Sequence, residues 1–168
     1  MIFIAYFAVI LFYLFFFIFS VYFIYAFILG APFVPTTKKH VKEMLELTNL
    51  KDSDILMDLG SGDGRFLKIA SPKCKKCIGI EINPFLYWWS KIKLRKIKNI
   101  TILREDLWKT DLKQTDVIML YFIQSKMEKL KTKIIKEMKP GARVISYGFS
   151  FPDWQPERIC GNIRLYRV

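Results

Sequence analysis

The first 29 residues contain no Lys, Arg, Asp, Glu or His. A run crowded with Phe, Ile, Tyr and Leu over that length exceeds the ~20 apolar residues that cross a bilayer, and it predicts a transmembrane helix. A secretory signal is excluded, because the apolar core is too long and no basic side chain precedes it. The alternative is a buried core helix, which needs a large protein around it, and only residues 30–168 remain to supply one. Histidine is nearly absent, with His40 alone, and there are three cysteines. Cys74 and Cys77 form C-x-x-C between lysines, but the further ligands of a zinc or redox site are missing, so no metal is expected. Acidic residues are scarce, 15 against 27 Lys and Arg, and the net charge of +12 falls entirely after the apolar run. Such an excess points to an anionic partner, either nucleic acid or lipid headgroups. Lys38, Lys39 and Lys42 follow the apolar run closely, so the positive-inside rule expects a single-pass membrane protein with residues 30–168 in the cytoplasm. No internal repeat or low-complexity tract appears beyond the apolar segment.

The rest of the chain centres on Asp54–Arg65, DILMDLGSGDGR. Ile55, Leu56, Met57 and Leu59 read as a strand covered on both faces, and Gly60, Gly62 and Gly64 follow at alternate positions. Without a Cβ, these residues permit a sharp turn and a close approach of ligand to main chain. The helix beginning near Gly64 is expected to offer N–H donors and a positive dipole end. A second strand, Lys76–Ile82, ends in Glu81, where a carboxylate at the tip of the neighbouring strand can accept both hydroxyls of a ribose. The glycine pattern separates two possibilities. G-x-G-x-x-G serves a pyrophosphate, whereas G-x-G-x-G flanked by Asp58 and Asp63 repels one and suits a cationic cofactor.

Before the glycine loop, Pro32 and Pro35 hold the chain extended, and Thr36 or Thr37 is placed to cap a helix carrying Val41, Met44 and Leu45 on one face. After it, Pro72 ends a short helix. Asn83-Pro84 opens another whose Phe85, Trp88, Trp89 and Ile92 stand at helical spacing, a stripe read as core, opposite a basic face of Lys91, Lys93, Arg95, Lys96 and Lys98. Strands follow at Asn99–Asp106 and Asp116–Tyr121. Ser125 and Glu128 form a capping box before a helix with Met127, Leu130, Ile134, Ile135 and Met138 inside. Its other side is basic, with Lys126, Lys129, Lys131, Lys133 and Lys136. Pro140-Gly141 stops that helix, Ala142–Phe149 supplies a fifth strand, and a Gly161-Asn162 turn predicts a closing antiparallel hairpin. This alternation gives an α/β class: a doubly wound, Rossmann-like, mostly parallel sheet with the hairpin at its carboxyl end, preceded by one transmembrane helix.

The motif DLGSGDGR resembles that of class I S-adenosylmethionine-dependent methyltransferases. The resemblance implies S-adenosylmethionine as cofactor, its methionine part on the glycine loop, its ribose on Glu81 and its adenine amino group on Asp106 rather than Glu105. The full implied set is Pro35, Thr36, Asp58, Gly60, Ser61, Gly62, Asp63, Gly64, Glu81, Asn83, Asp106 and Leu107. The end of the fourth strand reads Leu120-Tyr121-Phe122-Ile123, without the Asn or Asp followed by Pro-Pro-Tyr that marks methylation of base amines. No cysteine stands near these loops to support cysteine-dependent cytosine methylation.

More narrowly, the apolar start, Pro-Phe-Val-Pro-Thr (Pro32 to Thr36), IGIEINP, the Tyr121 segment, KPGARVISYGF and the closing LYRV are similar to the membrane-anchored protein-lysine methyltransferases of the adenine nucleotide translocase and ATP synthase c-subunit type and their prokaryotic relatives, over the whole chain. That resemblance implies a transmembrane anchor over 1–29, a methyltransferase domain over 30–168, and a lip at Pro35 and Thr36. It also implies a protein lysine at or in the membrane as acceptor, with Tyr121 and Phe122 lining its channel and the bilayer as partner of residues 1–29. Gln124 and Ser125 depart from the more apolar or proline-containing stretch of that group. Two alternatives stand beside it: a methyltransferase that binds nucleic acid through the basic helix faces, and one acting on a small molecule.

Overall fold

The structure, a computed structural model, describes residues 2–29 and 36–168. The chain divides into two units between residues 33 and 34. The first holds α1, Ile2–Leu29, whose apolar side chains are exposed wherever they are described. The expected membrane crossing does not stand. Among the described residues no helix is long and apolar enough to span a membrane. The single-pass placement, the cytoplasmic assignment deduced from it, and the bilayer as partner of residues 1–29 are withdrawn together.

The second unit is a seven-stranded sheet with helices on both faces. Its elements are α2 (Lys38–Thr48), β1 (Ile55–Leu59), α3 (Arg65–Ala70), β2 (Lys76–Ile80), α4 (Pro84–Leu94), β3 (Ile100–Leu103), β4 (Val117–Leu120), α5 (Met127–Glu137), β5 (Arg143–Tyr147), β6 (Arg158–Cys160) and β7 (Ile163–Arg167). The sheet order is β3-β2-β1-β4-β5-β7-β6. β1 to β5 pair in parallel, β7 runs antiparallel to β5, and β6 completes the hairpin through Gly161-Asn162. The strands from β2 to β5 stop one to three residues short of their expected carboxyl ends. Glu81, Asp106 and Tyr121 therefore stand in the loops beyond the ladder.

Side-chain alternation along the strands sorts two apolar layers. Leu56, Met119 and Ile145 face Val41, Met44 and Leu45 of α2 together with Phe66, Leu67 and Leu94. Met57, Leu59, Ile118, Leu120 and Val144 face Met127, Leu130 and Ile134 of α5. Thr37 caps α2, its Oγ1 accepting from the His40 N–H, and Asn83 caps α4 through the N–H groups of Phe85 and Leu86. The Ser125-Glu128 capping box does not form. Gln124–Lys126 is a 3₁₀ turn, and α5 begins after it without a side-chain cap.

The aromatic stripe of α4 is not core. Phe85, Trp88, Trp89 and Ile92 are each more than half exposed, while Ser90 and Leu94 are buried. A Cβ at Gly64 would collide with Leu94 and touch the Ser90 Cβ. Because position 64 is a glycine, α4 packs its Ser90 and Leu94 side against the loop, and this close approach turns the rings outward.

Candidate active site

Five parallel strands place five carboxyl ends on one edge, beyond which ligands of open α/β sheets bind. There the chain leaves β1 through Gly60, Gly62 and Gly64 at φ 97°, 54° and 71°, conformations that favour glycine. A Cβ on Gly60 would meet nothing within 4 Å, so the loop borders open space at that point.

Most N–H groups from Gly60 to Arg65 are already engaged. Gly60 and Ser61 both donate to the Ile80 carbonyl, Gly64 to the Ser61 carbonyl, Arg65 to Asp63, and Gly62 to Glu81. The loop thus offers shape and space while its donors brace β2. Ser61 behaves likewise. Its buried Oγ has no hydrogen-bond partner and points toward Gly79 in β2, where a Cβ would come within 2.6 Å of it. Gly79 is a residue the motif reading missed: it leaves room for both Ser61 and Leu67.

Glu81 is buried just past β2. Its Oε2 accepts from the Gly62 N–H and its Oε1 from the Asn83 N–H, each at 2.8 Å, so the carboxylate is fixed between the glycine loop and the start of α4. Burial raises its pKa against the pull of these bonds. Asp58, near the end of β1, is pushed up to about 7, first by burial and then by the charges of Glu81 and Asp63. Asp63 differs. Burial opposes its ionisation, yet Arg65 at 2.9 Å and Lys93 at 2.8 Å hold its carboxyl at about 2. The negative charge of Asp63 is paired with two cations, whereas neither Asp58 nor Glu81 has an ion-pair partner among the described residues.

Arg65 also donates to the Thr36 carbonyl at 3.3 Å, which ties the segment before α2 to the loop. Pro35 lies outside the described residues. On the β3 side, Asp106 accepts from the Trp108 N–H at 3.0 Å and opens a turn containing half-buried Leu107, while Glu105 holds Thr110.

The two residues expected to line an acceptor channel part company. Tyr121, 37% exposed, lies against Tyr147 and Phe149 with ring centroids at 5.5 and 5.9 Å, and the Tyr147 hydroxyl hydrogen-bonds His40 Nδ1 at 2.9 Å. Phe122 is 7% exposed and packs edge-on against Trp108 in the α5 layer. The Tyr147 and His40 partnership gave no sequence signal, because 107 residues separate them. Cys74 and Cys77 are buried with their sulfurs 3.1 Å apart.

A model of the ANTKMT methyltransferase domain matches residues 58–158, from the buried acid of β1 to the first residue of β6. The chain belongs to this family. It is an S-adenosylmethionine-dependent methyltransferase. A protein-lysine N-methyltransferase of Saccharolobus islandicus is 33% identical over 76% of this chain and 83% of its own length. The ATP synthase c-subunit lysine N-methyltransferase of Homo sapiens is 32% identical over 78% of this chain, which spans 57% of the human protein. These matches cover roughly the folded second unit in extent, less than the whole-chain resemblance expected from the motifs. Among solved structures, an RNA methyltransferase of Salinibacter ruber in complex with S-adenosyl-L-homocysteine superposes with a TM-score of 0.73 at 32% identity, covering 80% of this chain and 92% of that one.

Proposed function

We propose that the enzyme methylates the side-chain amine of a protein lysine at a mouth walled by Tyr121, Tyr147 and Phe149. The observation that carries the reading is the protein-lysine methyltransferase that this chain matches over 83% of that relative's length. In this reading the open space over Gly60 receives the methionine portion of the cofactor, Glu81 accepts the ribose hydroxyls, and Asp106 with Leu107 borders the adenine. Asp58 supplies negative potential beside a cationic ligand, and Thr36 approaches the same loop through Arg65. Bound S-adenosylmethionine supplies a methyl group on a sulfonium sulfur.

The protein's part is to present the acceptor without its proton. A lysine ammonium holds that proton up to a pKa near 10.4, and removal from water lowers the value. An aromatic wall desolvates the incoming amine while its ring faces still favour the positive charge beside it. Tyr121 supplies that wall, with Tyr147 kept upright by His40. Phe122 supports it from the core.

The RNA reading draws on the solved RNA methyltransferase and on the basic helices. Much of the second is accounted for within the fold. On α5, Lys133 pairs with Glu137, Lys131 with Glu128 and the Pro152 carbonyl, and Lys129 lies over Trp108. The test is to incubate the enzyme and its Tyr121→Ala variant with labelled S-adenosylmethionine and a protein and RNA extract, then hydrolyse and identify the product. Methyl-lysine is expected, reduced in Tyr121→Ala at unchanged cofactor affinity. Methylated nucleoside as the main product would establish the RNA reading instead.

A further inference from the structure

The outer face of α4 has no role in the site just described, and its composition is unusual for a surface. Phe85, Trp88, Trp89 and Ile92 stand at i, i+3, i+4 and i+7 and are 64%, 55%, 56% and 60% exposed. Folded monomers rarely leave so many large apolar side chains in one stripe without a partner. The helix contains no acidic residue. It runs on into Arg95, Lys96 and Lys98, none of which has an acidic partner among the described residues.

We propose that this face seats the domain peripherally on an anionic lipid surface. A short helix with Trp and Phe on one side and cations along its flank has the composition of elements that lie in the headgroup plane. The apolar ends of Trp enter the acyl boundary while lysine stems reach back to phosphate. Lys91 places a cation directly beside the stripe: its ammonium stands 5.1 Å from the Tyr87 ring centre and 5.3 Å from that of Trp88, and it donates to the Tyr87 hydroxyl at 2.7 Å.

Single-stranded nucleic acid would use the same cations but would also need free ring faces on which to stack. Here part of that ring surface is already engaged. Phe85 stacks on Trp89 at 6.3 Å with the planes 17° apart, Tyr87 meets Trp88 edge-on, and Lys91 covers Trp88. Lipid tails require only the apolar flank of the stripe. The seat also has a consequence for the active site. Asn83 at the start of α4 adjoins Glu81, and Lys93 holds Asp63 at 2.8 Å, so a surface under α4 lies one helix away from the glycine loop. The inference holds whatever the acceptor, since it rests on α4 alone.

The test uses the full chain with phosphatidylcholine vesicles that contain phosphatidylglycerol and carry bromine near the glycerol end of the acyl chains. Bromine quenches only tryptophans that reach it, so the readout reports α4 irrespective of residues 1–29. Quenching is expected with the anionic vesicles, weakened by salt. It is retained in a Trp108→Phe/Trp154→Phe variant and lost in Trp88→Phe/Trp89→Phe. Lys96→Glu/Lys98→Glu should lower the vesicle affinity of the α4 signal by roughly tenfold or more, because juxtamembrane cations each add to the attraction. Absence of quenching at Trp88 and Trp89, or equal quenching with purely zwitterionic vesicles, overturns the proposal. So does displacement of the signal by a single-stranded RNA oligonucleotide at low concentration, which would assign the face to nucleic acid.

Discussion

Glu81 illustrates how one residue acquires a role through its neighbours. Its two oxygens are each fixed by a backbone N–H at 2.8 Å, leaving further lone pairs toward the open edge of the sheet. Glu81→Ala should weaken S-adenosylmethionine binding by roughly 1.5–3 kcal/mol, the range for hydrogen bonds to a charged group, measured by calorimetric titration. Asp58 makes a prediction of opposite character. Its pKa in the folded protein, about 7, lies above that of an unfolded aspartate, so the folded state holds an extra proton between them. Stability therefore falls as pH rises from about 4 to about 7 and is level above that, as far as this residue is concerned. Asp58→Asn should flatten this decline in urea titrations made across the window. A cationic ligand favours the charged carboxylate, so cofactor binding to the wild type near pH 6 should release protons. Calorimetry in buffers of differing ionisation heat would detect the release, and it should vanish in the variant. The motif displayed both acids and Arg65 in sequence, but the pairing of Asp63 is completed by Lys93, thirty residues away.

At the scale of elements, α4 shows where periodicity stops being informative. Phe85, Trp88, Trp89 and Ile92 form one apolar line, and Leu86, Ser90, Leu94 and Ile97 form another that contains a serine. The stronger line looks like core in the sequence. Burial went to the weaker one, because the missing Cβ of Gly64 makes room for Ser90 and Leu94 against the loop. Trp88→Ser should accordingly change stability by no more than about 0.5 kcal/mol, as surface substitutions do, whereas Ser90→Leu should cost about 1–3 kcal/mol through overpacking. Chemical denaturation of the two variants side by side distinguishes the faces. If Trp88→Ser is the more damaging, α4 is turned the other way. The capping box at Ser125 failed for a related reason: the 3₁₀ turn over Gln124–Lys126 lies between β4 and α5, and Gln124 is drawn aside to the Ser150 carbonyl.

For the whole molecule, the two ends of the chain of the second unit are joined by Arg143. From β5 its guanidinium donates to the carbonyls of Thr48 and Asn49 at the end of α2, each at 2.8 Å, and pairs with buried Asp54 at 2.6 Å. Removing either partner leaves the other charge buried and unmatched, so Asp54→Ala or Arg143→Ala should cost about 3–5 kcal/mol, read as a lower denaturation midpoint. That loss should come without change at Tyr121 or Glu81, visible as normal cofactor affinity in the fraction that remains folded.

The sequence by itself determined the class of fold, the glycine loop, the acid at the tip of β2 and the family, because each depends on residues close together in the chain or on a spacing that one βαβ unit sets. It also determined the caps at Thr37 and Asn83, which are local hydrogen bonds. Only the tertiary structure decided which face of α4 is buried, which acid of the loop keeps its charge, that the loop's donors brace β2, and that Tyr121 stands at the open edge while Phe122 turns into the core. These outcomes depend on contacts between residues distant in sequence, where small differences in side-chain volume or a single lysine decide between arrangements that the local pattern leaves equally open.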